Sequence, residues 1–240
     1  MTTILIGLDD TDNETSRGTG HLARMLSREC ERRGMRPLAV TRHQFLVDPR
    51  IPYTSHNSGA CVAVASDNGA TSATFAFDFV AERAADGSDP GVCVAEASAV
   101  EPDVTEFGRA ATSRIVTMDD AFRVAQSCRV ELRGLGGSHL GVIGALGSVG
   151  LRAGGNEGRF IDLPGLRELP ARAALEDIRR LGIALDYGGV RREVSPNDPC
   201  DTLEWVRPRL VGGEPVLPLE WSEQRHAWIP VDRKRSRPLE

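Results

Sequence analysis

Lysine is almost missing from this chain. Of its 29 basic residues only Lys234 is a lysine, and that one lies in the C-terminal tail. A P-loop lysine, a Schiff-base lysine and a kinase-type strand lysine are therefore excluded from the body of the protein, and no Gly-Lys-Ser/Thr sequence occurs. Any phosphate bound here must be met by arginine, by metal or by backbone N–H groups. A GC-rich coding sequence would also favour arginine, so the bias alone assigns no role. Paired cysteines are missing too. Cys30, Cys61, Cys93, Cys128 and Cys200 are odd in number and form no C-x-x-C pair, which excludes a zinc ribbon and argues against a disulfide framework. Those in apolar runs read as small core residues. No long apolar span and no signal peptide are visible, so a cytoplasmic protein that does not enter the membrane is expected. The net charge of −5 gives no overall basic footprint for nucleic acid, which leaves open a local arginine patch.

Against these absences stands one dense feature, ILIGLDDTD at 4–12. An apolar run, read as a buried strand, leads into Asp9, Asp10 and Asp12 at or just past its C-terminal end. Open α/β sheets place ligand sites there. Three carboxylates in so small a volume call for a cation, and Mg²⁺ takes oxygen ligands. The alternative is an Asx-turn at Asp12 and Asn13 with the other acids facing solvent. A polar loop, NETSRGTG, then leads to an amphipathic helix over HLARMLSRECERRG, with Leu22, Met25, Leu26 and Cys30 on one face and Gly34 closing it. The loop thus ends at a helix N-terminus that favours an anion, surrounded by Ser16, Arg17, Gly18, Thr19 and His21. Thr19 is either a phosphate acceptor or simply an N-cap.

The chain is long enough for a real core in one or two domains. Strands are expected at 35–48, 60–66 and 91–97, with a helix near 71–85 carrying Phe75, Phe79 and Val80. That is the β-α-β-β-α-β order of a ferredoxin-like unit over residues 1–100. A second α/β lobe is expected over 101–200, with helices at 103–113 and 118–127 and a strand at 128–134. A terminal hairpin follows over 201–232, and 233–240 read as a disordered basic tail. The predicted class is therefore α/β (α+β), two-lobed, with a Gly-rich helix in the second lobe. In that helix Gly141, Gly144, Gly147 and Gly150 recur every third residue after a Gly136-Gly137-Ser138 loop, with Ser138 as a fair N-cap. Each helical glycine costs roughly 0.8–1 kcal/mol relative to alanine, so the backbone must approach either another element or a ligand. The 136–138 loop and the Gly154-Gly155-Asn156 end are the ligand candidates. One polyphosphate could use both the first and second Gly-bearing loops, which would place the Asp9–Asp12 cluster beside 136–138.

Taken together, GLDDTD at 7–12, RGTGHLA at 17–23, RIPYTSHNSGA at 50–60 and GVIGALGSVG at 141–150 resemble the N-terminal half of the archaeal isoleucine-tRNA agmatinylcytidine synthetases. SPNDPC at 195–200 is a weaker match. The resemblance implies an ATP-dependent kinase- or ligase-like enzyme of tRNA modification, with Mg²⁺ on the acidic motif and autophosphorylation at Thr19. It also implies nucleotide contacts from Asn57 and Gly59, although Asn57-Ser58-Gly59 lacks the arginine and paired glycine expected of the family. That family continues into an OB-fold and a zinc ribbon that grip tRNA. This chain stops before both, which puts tRNA binding in doubt.

Three readings follow. In the first the protein is an ATP- and Mg²⁺-dependent phosphotransferase of unknown acceptor, with Asp9, Asp10 and Asp12 on metal, Thr19 as acceptor, His21 accepting a proton and Arg17 holding phosphate. The second is a haloacid-dehalogenase-like phosphatase, in which Asp10 attacks and Asp12 is the acid; Glu14 and the missing lysine depart from that pattern. The third is a non-catalytic nucleotide-binding module. A homodimer is left open by all three.

Overall fold

Alternation along the first strand sets the layers of the molecule, a computed structural model that describes residues 1–52, 56–189, 192–203 and 206–231. Strand β1 (Thr2–Asp9) turns Ile4, Ile6 and Leu8 to one face, where they join a core with Leu22, Leu26, Phe77 and Val80. Leu5 turns to the other face and packs with Val142, Ala145, Leu146 and Val149. A strand apolar on both sides must be covered on both sides. Helices α1 (Thr19–Arg32) and α2 (Gly69–Arg83) supply one layer. On the other side lie α3 (Pro102–Ser113), α4 (Met118–Ser127) and α5 (Gly141–Gly154).

Between them β1 pairs antiparallel with β3 (Ser58–Ser66) and with β4 (Gly91–Glu96), and β2 (Arg36–Gln44) pairs with β3. The β-α-β-β-α-β succession read from the sequence is present, in the spatial order β4-β1-β3-β2. Both neighbours of β1 run antiparallel to it. The acidic strand end is therefore not the crevice of a parallel sheet; what lies beyond it is set by two helix N-termini, those of α1 and α5.

The sheet continues in both directions. β5 (Glu131–Gly134) extends the β4 edge, while β6 (Arg159–Asp162) joins β2 to β10 (Arg209–Val211). From β10 the sheet runs on through β11 (Glu214–Ser222) and β12 (Ala227–Pro230) to β9 (Pro199–Asp201) and β7 (Arg172–Ala174), with β8 (Ala184–Asp186) parallel to β11. With α6 (Leu175–Arg180), the described residues form a mixed α/β protein of six α-helices and twelve strands in one largely antiparallel open sheet. Gly212 and Gly213, both at positive φ, close the β10–β11 hairpin. A second core gathers Phe160, Leu175, Ile178, Leu210, Leu217 and Trp228. The α5-side core draws on residues from Leu5 to Val149.

Two local readings are corrected. Met25 is exposed rather than on the buried face of α1, because Leu22, Leu26 and Cys30 already fill the groove above the sheet. Ser138 is not the N-cap of α5; Leu140 occupies that position, and Ser138 instead donates its backbone N–H and its hydroxyl to Asp89. The 233–240 tail lies outside the described residues. No helix among the described residues is long and apolar enough to cross a membrane.

Candidate functional site at the end of the first strand

The glycine stripe of α5 explains how the acidic motif is enclosed. A Cβ at Gly144 would overlap the Asp9 carboxylate, one at Gly7 would overlap the Ala145 carbonyl, and one at Gly141 would strike Asp89 and Gly91. Gly147 faces the Phe45 ring and Gly150 the Val104 carbonyl. The stripe is thus a close-packing surface, and its first turn brings the helix onto Asp9. Burial, followed by the neighbouring charge of Asp10, pushes the Asp9 carboxyl up to about 7. Asp10 sits at φ 52, a left-handed conformation that Asp tolerates better than most residues. Its carboxyl is raised by burial first, then by Asp89 and Asp12. Among the described residues, the charges that raise the two groups are carboxylates.

Asp12 points elsewhere. Its Oδ1 accepts the Thr19 backbone N–H at 3.0 Å and the Thr19 hydroxyl at 2.8 Å. The Thr11 N–H and hydroxyl in turn donate to Thr19 Oγ1 at 3.3 and 3.1 Å. Thr19 is therefore buried and fixed. It is the first residue of α1, whose N-cap is Gly18, so the simple N-cap reading of Thr19 does not hold. The three acids thus take three directions: one against α5, one in the left-handed turn, one onto α1. Among the described residues no three His, Cys, Asp or Glu side chains are grouped so as to hold a metal ion.

Two clefts meet at this point. The first, about 110 Å³, is lined by Asp9, Asp10, Asp12 and Thr19 together with an apolar wall that includes Phe45, Ile51, Pro52, Val116, Leu140 and Ile143. The second, about 410 Å³, is lined by Arg17, Gly18, Gly20, His21 and Gly59, and by Arg24, Arg42 and Arg207. Asp12, Thr19, His56 and Ser58 line both. His21 is held below its ordinary value by burial and then by Arg17, Arg24 and Arg28.

The residues singled out by sequence divide accordingly. Asp9, Asp10, Asp12, Thr19 and Asn57 line the first cleft, and Arg17, Gly18, His21 and Gly59 the second. Asn57 is also structural: its amide donates to the Leu46 carbonyl at 2.6 Å. Gly136, Gly137 and Ser138 line neither; Asp89 clamps their loop, which adjoins the first cleft through Leu140 and Gly141. Asn156 is not brought to the site. It lies beyond the far end of α5, roughly 15 Å along the axis from Gly144 at 1.5 Å per residue, and accepts the Gly212 N–H. Asp198 of the 195–200 segment accepts from Trp228 Nε1, which makes that motif a corner of the second core. Sequence reading missed Arg24, Arg42 and Arg207, which lie on three separate elements with no local signal. It also missed the apolar wall, whose residues look like ordinary core positions. Tyr53 to Ser55 of the 50–60 motif lie outside the described residues.

No protein-family model matches the sequence, and no curated protein matches it. Solved structures do. A tRNA fluorescent labeling enzyme matches at 25% identity and a TM-score of 0.55, over 62% of this chain and 36% of that one. A complex of TiaS with its isoleucine tRNA and ATP matches at 24% and 0.55 over the same shares. The chain is structurally similar to part of TiaS. A further TiaS complex, with the same tRNA, AMPCPP and agmatine, matches at 22% identity and 0.55, and apo TiaS, described as a tRNA agmatidine synthetase, at 22% and 0.51. At these identities the likeness to TiaS is one of fold. The chain spans 36% of the length of the first three structures.

Proposed function

We propose that the chain is a TiaS-like phosphotransferase that uses ATP and Mg²⁺, built on a ferredoxin-like unit over residues 2–96, with Thr19 as the site of phosphoryl transfer. The observation that carries this reading is the half-buried hydrogen bond from the hydroxyl of the buried Thr19 to Asp12 Oδ1, at the partition between an acidic cleft and an arginine cleft. Asp12 orients the hydroxyl and can accept its proton as Oγ1 bonds to the transferred phosphorus, with ADP leaving. Phosphothreonine at the first residue of α1 would rest at a helix N-terminus, beside Arg17.

In this reading Mg²⁺ would be held by Asp9 and Asp10 together with the phosphates it carries, since the described residues supply no three-residue cage of their own. Asp9 and Asp10 offer oxygens alone, are adjacent in sequence, and are destabilised in their charged forms by burial first and then by neighbouring carboxylates. When bound, Mg²⁺ would neutralise phosphate oxygens. The apolar wall of the first cleft suits a nucleobase, but its 110 Å³ is below the roughly 300–1,000 Å³ of small-molecule sites, so the cleft must widen to take a nucleotide. A phosphatase with Asp12 as general acid is less well supported, since Asp12 Oδ1 already takes two hydrogen bonds from Thr19.

Calorimetric titration with Mg²⁺-AMPPNP tests the binding half of the reading. Asp10→Asn is the informative variant, because Asn also tolerates the left-handed backbone at this position. It should bind about ten-fold or more weakly, as expected for loss of one charged ligand contact. Equal affinity in the two proteins would return Asp10 to a turn role.

A further inference from the structure

The second cleft has a chemistry of its own. Arg17 and Arg24 reach it from the start and flank of α1, Arg42 from β2, and Arg207 from the segment before β10. In a chain of net charge −5, four arginines on one cleft of about 410 Å³ are a concentrated positive field. Among the described residues lining it, Asp12 is the one carboxylate, and its Oδ1 is engaged by Thr19. Asp162 acts on Arg24 from beside the cleft. Arg42 is fixed in place: its Nε and Nη2 donate to Ser58 Oγ at 3.0 and 2.8 Å. Register aligns Arg42 with Arg159, and Arg159 with Arg209, on neighbouring strands. Arg24 and Arg42 are each lowered, by burial first and then with contributions from neighbouring arginines.

We propose that this cleft is a binding site for a small polyanionic co-substrate, a phosphorylated metabolite carrying two or more negative charges, on the side of Thr19 opposite Asp9 and Asp10. The word co-substrate rests on the phosphotransferase reading; the anion site itself does not. The size fits: 410 Å³ lies within the range of small-molecule sites. The charge selects: arginine presents planar donors suited to phosphate and stays charged at any working pH, and it repels a cationic amine such as agmatine. The position separates it from the nucleotide. Metal-bound phosphates belong with Asp9 and Asp10, whereas these arginines neutralise an anion without metal.

The test uses fructose 1,6-bisphosphate as a generic probe, titrated calorimetrically into the full chain with and without saturating Mg²⁺-AMPPNP. One-to-one binding should persist with the analogue present. Arg42→Gln/Arg207→Gln should weaken the bisphosphate about ten-fold or more while leaving AMPPNP affinity unchanged, which also shows that the double variant is folded. If the double variant does not fold, Arg24→Gln serves in its place with the same expectation. Displacement of the bisphosphate by AMPPNP would overturn the proposal, making the cleft the seat of the triphosphate itself. So would binding of agmatine there, or a short single-stranded RNA that excludes the bisphosphate with the same arginine dependence. Bisphosphate binding without any AMPPNP binding would support the anion site and overturn the nucleotide reading.

Discussion

At the scale of single residues, two buried titratable groups shape stability in opposite senses. His43 is fully enclosed, with Nε2 at 2.8 Å from Thr41 Oγ1 and Nδ1 at 2.6 Å from the Glu157 carbonyl. Burial holds it down to about 4. A depressed histidine is neutral in both states above the unfolded value of 6.5, and its stabilising contribution is lost as pH falls from there through about 4. In denaturant melts the stability of wild type relative to His43→Gln should therefore fall by up to about 1.4 kcal/mol per pH unit as pH drops across that window, the opposing Asp9 contribution being common to both proteins. A difference that does not change with pH would assign the acid loss to other groups. Asp9 works the other way. Its carboxyl is raised to about 7, so its stabilising contribution is complete below the unfolded value of 3.8 and is lost as pH rises through 7. In metal-free protein at pH 8, Asp9→Asn should melt higher than wild type, while Mg²⁺-AMPPNP binds it more weakly. A variant that melts lower would mean that the Asp9 charge is compensated in the fold.

Elements show why part of the architecture was readable in advance. Helices at 103–113 and 118–127 were placed almost to the residue, because α3 opens on Pro102 and α4 on a Thr117–Asp120 capping box, both local signals. The first four strands were legible from apolar runs bounded by turns. The role of the glycines in α5 was not, since packing and ligand approach leave the same mark on a sequence. Coordinates separate them: the glycines meet Asp9, Phe45 and the backbones of β4 and α3. Gly7→Ala is the corresponding experiment. The new methyl would meet the Ala145 carbonyl, which as helix backbone cannot yield. A loss of about 1–3 kcal/mol or more is expected by denaturant melt. A neutral result would mean that α5 sits farther from β1 than described.

Across the whole molecule, the clustering of the acidic half of the candidate site was legible and that of the arginine half was not. Asp9, Asp10, Asp12 and Thr19 fall within eleven residues of one another, so a strand, a loop and a helix start bring them together without long-range folding. Arg42 and Arg207 are joined to that site by the pairing of β2 through β6 to β10, a tertiary event that no local pattern encodes. What unites the two halves is Thr19, buried between the clefts with its hydroxyl held by Asp12. The most direct measurement is intact mass after incubation with Mg²⁺-ATP, for wild type and Thr19→Ala. The account predicts a gain of one phosphoryl group in wild type that is absent in the variant. An unchanged wild-type mass while ATP is demonstrably bound, or an equal gain in Thr19→Ala, would contradict it.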